Sequence, residues 1–499
     1  AAYFRLIRER LEETVGEDSE ALAAANYPEP VDHCDVCPWS SVCSQKRRAD
    51  DHLSLVAGIS RLQRRELEAR DVLALADLAR LPLPLPFKPK RGAADTYVRV
   101  REQARVQFES RGKTPPLFEL RSFEDGEGLS RLPEPSPGDV FLDLEGDPFA
   151  AEGGREYLFG VVTVDPNGKP AYRSFWAFTE HEERQAFESV IDLIVHAWQQ
   201  HDGMHIYHYA PYEPSAFKRL MGRYATREGA LDRMLRAGRF VDLYGVVRQG
   251  LRAGIERYSI KNLEVFYGFA RGVSLADASR ALLVMEQALE LKCAHTVPPS
   301  VRDSVEGYNK DDCLSTLRLR DWLETVRAEV EAKGTFVSRP APDDGDASEK
   351  LDERAQRVAA LRERLLAGVP EAAADHNDQQ HARWLLAYLL DWHRREDKAG
   401  WWEYFRLRDL PDEDLFDEPQ AIAGLTHAQR VGFVPHATTG KPTKSVVDRY
   451  AYPVQEMEIR RKDELKLRDG KQFGFVISVD RIARTIDVRK GPGQAANHP

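Results

Sequence analysis

Between residues 140 and 178 the chain alternates short apolar runs with turn residues. Residues 140–144, 157–164 and 171–178 are rich in β-branched and aromatic side chains, and Asp165-Pro-Asn-Gly168 separates the last two. Such runs joined by short turns predict an antiparallel meander of three strands. The period then changes: Phe187, Val190, Ile191, Leu193, Ile194 and Trp198 recur at helical spacing over 182–200. A strand at 204–209, a helix beginning near Pro214, an extended stretch at 240–244 and a last helix over 303–332 complete the region. This order predicts a mixed α/β sheet flanked by helices.

The flanks read differently. Tyr3, Leu6, Ile7 and Leu11 mark an amphipathic helix within 1–20, and 51–82 reads as short helices. A Pro-rich run from Leu81 is linker-like, a helix returns at 97–111, and 133–138 is punctuated by Pro and Gly. A polar linker at 339–348 precedes helices with a Trp cluster, Trp384, Trp392, Trp401 and Trp402. Base stacking and packing between helices both fit that cluster. From 446 the pattern is β, at 446–447, 450–454, 458–459, 473–479 and 485–488, and suggests a small barrel. The expected divisions are 1–50, 51–137, 138–335, 336–350, 351–425 and 426–499.

A length of 499 residues implies about three domains. The hydrophobic share of 42 % and charged share of 30 % are those of globular material. No apolar run approaches the ~18 residues that span a bilayer, and no secretory signal is visible, so no membrane partner and a cytoplasmic location are expected. The chain opens Ala-Ala-Tyr-Phe in mid-helix with no Met and is read as a fragment or a processed chain. Its net charge of −10 gives no global footprint for nucleic acid. A metal-dependent nuclease is compatible with that, because its site consumes acids and its phosphate contacts are local.

Three of the five cysteines are bunched as Cys34-x2-Cys37-x5-Cys43, a spacing suited to one metal centre in a reducing compartment. A tetrahedral zinc ion or a four-cysteine cluster needs a fourth ligand; His33 adjoins Cys34, and unligated loop cysteines are the bland alternative. The run Tyr27-Pro-Glu-Pro-Val-Asp-His-Cys34 through Cys43, followed by Arg-Arg-Ala-Asp-Asp-His, resembles the tail of RecB-family nucleases of the iron–sulfur type. The resemblance implies that Cys34, Cys37 and Cys43 ligate a [4Fe-4S] cluster, with Zn²⁺ as the alternative. The fourth ligand and that family's catalytic motifs would lie upstream of this chain. Downstream, the pattern around Gly58-Ile-x-Arg-Leu-Gln-Arg64-Arg65 is reminiscent of helix–hairpin–helix phosphate binders; a helical core patch fits it equally.

Asp143-Leu-Glu145 closes the first strand, and residues two apart project from one face. Two such acids repel unless a cation or proton lies between them. Hard divalent ions suit them, while an acidic turn is the ordinary alternative. Tyr212-Glu213 stands where a strand gives way to a helix, and Tyr308 and Asp312 are four apart on one helix face. Three motifs in this order resemble DnaQ-like exonucleases of the type with three Asp, one Glu and a Tyr. The resemblance implies a ribonuclease H-like fold and two Mg²⁺ or Mn²⁺ ions held by Asp143, Glu145, Glu213 and Asp312, with Tyr308 orienting the attacking water. Glu213 departs from the usual Asp.

Other polar residues have plainer readings: Asp242 as a strand-end cap, Asp311 as a solvated neighbour of Asp312, Cys293 and Cys313 as inert thiols. Lys261, following Ser259, reads as a weak phosphate contact or an exposed turn residue; Arg64 and Arg65 are the other weak nucleic-acid candidates. The whole order resembles bacterial fusions of a RecB-like nuclease, a DnaQ-like (YprB-type) domain and a superfamily 1 helicase. That implies 3′→5′ exonucleolytic action on DNA or RNA in DNA processing or repair. Thr439-Gly-Lys-Pro lacks the upstream Gly of a phosphate cradle, so a helicase engine would lie beyond Pro499. The alternative is a catalytically inactive nucleic-acid-binding module that guides substrate to its neighbours.

Overall fold

The computed structural model describes residues 2–15, 27–35, 37–90, 94–122, 125–151, 153–345, 349–370, 375–393, 404, 407–408, 410, 415, 418–435, 441–453, 455 and 457–497. Helices Arg61–Glu68, Leu75–Arg80 and Ala94–Glu109 share a core that includes Leu53, Val56, Leu67, Leu78, Tyr97 and Ala104. A ribbon of β1 (Phe118–Leu120) against β7 (Leu251–Ala253) ties this helical part to the next region.

That region is built on β2 (Val140–Asp147), β3 (Arg155–Val164), β4 (Pro170–Trp176), β5 (Ile206–His208) and β6 (Phe240–Asp242), in the order β4-β3-β2-β5-β6. The first three form the expected antiparallel meander, and β5 and β6 add in parallel beyond β2. This is the mixed sheet of a ribonuclease H-like fold. Alternation along β2 sorts its side chains. Val140, Leu142 and Leu144 join the core made with Phe187, Val190, Ile191 and Ile194 of helix Glu180–Gln200. Phe141, Asp143 and Glu145 take the other face, which the long helix Pro299–Ala332 covers.

Two buried arginines of the long helix fix it in place. Arg320 donates to Asp139 at 2.6 Å and lies 5.0 Å from the Phe141 ring centroid and 5.1 Å from that of Tyr207. Asp139 also accepts the His205 amide at 2.9 Å, so one carboxylate aligns β2, the approach to β5 and the helix. Arg327 donates to the carbonyls of Leu129, Leu132, Val337 and Ser338, which joins the chain ahead of β2 to the chain after the long helix.

Helices Glu349–Leu366 and Asp378–Leu389 follow, and Trp384 stacks on His381 and packs against Tyr388. Trp401 and Trp402 lie outside the described residues. The C-terminal part is an antiparallel sheet of β8 (Thr426–Pro435), β9 (Pro442–Ala451), β10 (Glu464–Lys466), β11 (Gln472–Asp480) and β12 (Thr485–Lys490), ordered β10-β11-β12-β9-β8. Its core carries a fully buried ion pair, Asp448 to Lys490 at 2.7 Å. No described helix is long and apolar enough to cross a membrane.

Candidate active site

β2 ends with Asp143 and Glu145 on the face toward the long helix. Asp143 pairs in register with Gly160 of β3, and that glycine sets the distance between helix and sheet. A Cβ at Gly160 would fall 1.7 Å from Asn309 Oδ1 and 3.1 Å from Cys313 Sγ. With only hydrogen there, the helix settles close, and fully buried Asn309 donates Nδ2–H to Asp143 Oδ2 at 2.8 Å and to the Asp143 carbonyl at 3.1 Å. The Tyr172 hydroxyl donates to Asn309 Oδ1 at 2.9 Å and fixes the amide. Three residues along, Asp312 presents its carboxylate to the same space.

Asp143, Glu145 and Asp312 each offer an oxygen within 4.8 Å of the other two. Burial, then the Asp312 charge, pushes the Asp143 carboxyl well above its usual range; burial, then Asp143 and Asp312, does the same to Glu145. Glu213 is not part of this group of three. It sits in the first turn of helix Tyr212–Tyr224, 3 % exposed, with Oε2 buried and lacking a hydrogen-bond partner. His208 Nδ1, at 3.6 Å from that oxygen, is engaged by the Ala210 carbonyl at 2.7 Å. Burial and the nearby Asp143 charge push Glu213 well up.

Two cations stand on the helix side. Lys261 Nζ lies 3.2 Å from Asp312 Oδ2, and Arg271 Nη2 lies 2.6 Å from Asp312 Oδ1 while also pairing with Glu264 at 2.6 Å. Ser259 caps helix Ile260–Tyr267 and so aims Lys261 inward. Burial works against the ammonium, but Asp312 beside it holds Lys261 above its ordinary value. The Lys261 Nζ and Arg271 Cζ are 5.1 and 5.6 Å from the Tyr308 ring centroid. Burial, then Asp312, pushes the Tyr308 phenol up to about 12.

Several sequence expectations change. Asp311 is 7 % exposed, not solvated: the loop before helix Leu275–Glu290 packs on it, and Asp311 accepts the Val273 amide at 3.0 Å. Lys261 is not in an exposed turn but in the acidic site. Arg64 is 7 % exposed and paired to Glu29 at 3.1 Å, so it presents nothing to a phosphate; Arg65 is exposed. Asp242 is the cap expected, accepting the amides of Ala210 and Tyr244, both at 2.9 Å. Cys313 is buried and Cys293 half-buried.

Cys34, Cys37 and Cys43 are unpaired and half-buried, and they are not among the described groups with ligand atoms within 4.8 Å of one another. A single zinc ion with Zn–S about 2.3 Å needs thiolates within about 4 Å. Close by, Glu29, His52 and Glu68 do gather within 4.8 Å. Residues the sequence did not flag are Asn309, Gly160 and Arg271, since nothing local marks a contact between distant elements: Gly160 meets Asn309 where helix meets sheet, and Arg271 reaches Asp312 from the loop before helix Leu275–Glu290.

Residues 140–324 match the family model of the RNase H superfamily. Comparisons with curated proteins and with solved structures each return no match.

Proposed function

We propose that the ribonuclease H-like region hydrolyses nucleic-acid phosphodiesters with divalent metal ions, Mg²⁺ or Mn²⁺, held by Asp143, Glu145 and Asp312. The observation that carries this reading is the convergence of three carboxylates within 4.8 Å at the end of β2. The donor set is all oxygen, as a hard cation requires. The partnerless buried oxygen of Glu213 also fits a cation nearby. When bound, such ions activate a water and stabilise charge on the leaving oxygen.

The chain's own residues do the rest. Asn309 holds Asp143 in one orientation. Tyr308 keeps its proton at neutral pH and can donate it in a hydrogen bond to the attacking water or a phosphate oxygen. Lys261 supplies positive charge beside Asp312 where a phosphate would arrive. A pair of ions, Glu213 as their fourth ligand and 3′→5′ polarity come from the resemblance to DnaQ-like exonucleases. The cysteine spacing and the C-terminal antiparallel sheet support a wider nuclease–helicase protein with an iron–sulfur cluster, acting on DNA or RNA in processing or repair.

A second reading, an inactive strand-binding module, is favoured by one observation: both oxygens of Asp312 already have cationic partners. The test uses the full chain, a 5′-labelled single-stranded oligonucleotide and Mn²⁺. Stepwise release of mononucleotides, lost in Asp143→Ala, supports the hydrolase. Retained strand binding with no cleavage in any divalent metal supports the inactive module.

A further inference from the structure

Glu29, His52 and Glu68 come from three separate pieces of the N-terminal part. Glu29 lies five residues before Cys34, His52 opens the turn Leu53–Leu55, and Glu68 ends helix Arg61–Glu68. Each offers a ligand atom within 4.8 Å of the other two, and the group shares no residue with the acids of β2. His52 is 8 % exposed. Its Nε2 lies 3.6 Å from Glu29 Oε1 and 3.7 Å from Glu68 Oε1. Both distances exceed the ~2.7–3.2 Å of an N–H···O hydrogen bond, so this buried nitrogen is aimed between two carboxylates without bonding either. Two donor atoms about 2.1 Å from a shared ion, at a tetrahedral angle, lie about 3.4 Å apart. The observed separations are close to that.

The other ring nitrogen, Nδ1, lies 2.9 Å from Ser54 Oγ. An Nδ1–H donated there leaves the Nε2 lone pair facing the carboxylates, the arrangement a metal-ligating histidine adopts. The Ser54 amide approaches Nδ1 at 3.2 Å, so the metal-binding tautomer exchanges that longer contact for the shorter one. Burial pushes the imidazole below its ordinary value, which keeps the ring neutral at pH 7. Arg64 Nη2 lies 3.1 Å from Glu29 Oε2 and leaves Oε1 for the ring side. Arg64 offsets one of the two negative charges; the other remains for a cation.

Contacts that need no ion hold the frame. The Tyr27 and His52 rings pack with centroids 4.6 Å apart, and the Tyr27 hydroxyl donates to Asp50 at 2.9 Å. Arg47 donates to the Pro28 carbonyl at 2.9 Å, and the His52 amide donates to the Arg47 carbonyl at 2.9 Å. The residues around Glu29 are thereby tied to those around His52. The Glu29 and Glu68 side chains are half-buried, so an ion can enter and water can complete its coordination.

We infer that Glu29, His52 and Glu68 bind one divalent transition-metal ion of the Zn²⁺ class, which fastens the segment leading to Cys34 onto the helical core. One imidazole with two carboxylates suits Zn²⁺, whereas Mg²⁺ keeps to oxygen ligands and retains its waters. The site depends neither on hydrolysis at the acids of β2 nor on what the three cysteines hold.

The test titrates Zn²⁺ into the full chain by calorimetry. The parent carries Cys34→Ser, Cys37→Ser, Cys43→Ser and Asp143→Asn, so that the thiols and the intact acidic site do not compete. One Zn²⁺ is expected per chain, with millimolar Mg²⁺ unable to displace it. His52→Gln and Glu68→Gln, each added to the parent, should weaken binding about 100-fold, since even a residue that only orients a ligand is worth about 10–100-fold. Amide hydrogen exchange over residues 27–35 should slow on adding Zn²⁺ to the parent and stay unchanged in both variants, a response that a purely structural ion-pair cluster would not give. Thermal midpoints in chelator establish folding, and the half-buried Glu68 position keeps the test decisive should His52→Gln fail to fold. Unchanged Zn²⁺ affinity in folded Glu68→Gln overturns the proposal. So does a parent Kd of about 1 mM or weaker, or displacement of Zn²⁺ by equimolar Mg²⁺; either would reduce the cluster to an adventitious acidic surface.

Discussion

Replacing Asp143 by Asn should make the metal-free protein more stable while making it inactive. Asp143 has two like-charged neighbours, Glu145 and Asp312, with oxygens within 4.8 Å. At that separation and an effective dielectric constant of about 20, each pair costs about 3.5 kcal/mol, a ceiling of about 7 kcal/mol. Proton uptake limits the real cost, because holding a proton costs only about 1.4 kcal/mol for each unit between the ordinary carboxylate pKa and the working pH. Lys261 and Arg271 offset part of the remainder. A gain of about 1–3 kcal/mol at pH 7.5 is expected, or about 2–12 °C in the unfolding midpoint for a region of this size. Asn also keeps an oxygen for the Asn309 amide, so the change removes charge without removing the hydrogen bond.

The sign with pH follows from the direction of the shifts. Asp143 and Glu145 both titrate above their unfolded values. Their contribution to stability is full below the unfolded range near 4 and is lost as pH rises through the raised values. The advantage of the variant therefore shrinks on acidification toward pH 4. Mn²⁺ works in the opposite direction at pH 7.5: the wild type gains about 2.7 kcal/mol at a hundredfold excess over Kd, and the variant gains less, so the gap in favour of the variant closes. Differential scanning fluorimetry in chelator and in Mn²⁺, at two pH values, measures all four states. A lower midpoint for Asp143→Asn in chelator at pH 7.5 refutes the electrostatic reasoning.

Two other changes test packing, one beside the site and one remote from it. Gly160→Ala forces a methyl group into Asn309 and should cost about 1–3 kcal/mol while displacing the amide from Asp143, so that thermal midpoint and hydrolysis fall together. In the C-terminal sheet, Asp448→Asn leaves the ammonium of Lys490, 0 % exposed, without its carboxylate, and should cost about 3–5 kcal/mol, measured by urea unfolding of the full chain; hydrolysis by folded protein should be unchanged.

The central region was legible because its signals are local. The strand runs, the helix after them and the Tyr308–Asp312 spacing each sit within one element, where period alone assigns the face. The limits are also physical. Asp311 looked solvated because it points away from the acids, yet a loop 38 positions earlier in the chain covers that side and gives it the Val273 amide. Lys261 looked like a turn residue because its partner, Asp312, is 51 positions away. Gly160 and Asn309 carry no motif, since their meaning lies in a contact between a strand and a helix. β8 was missed because its side chains are exposed on both faces, so neither alternation nor an apolar run marks it. Charge patches are read the same way: Arg64 and Arg65 are adjacent in sequence, yet Arg64 turns inward to Glu29 while Arg65 is exposed.

The carbonyl cage around Arg327 has a consequence for how this region sits in a longer polypeptide. Leu129 and Leu132 lead in, Val337 and Ser338 lead out, and one guanidinium holds all four. Start and finish thus share a single corner. The chain therefore enters and leaves this region side by side, and one side chain fastens the way in to the way out.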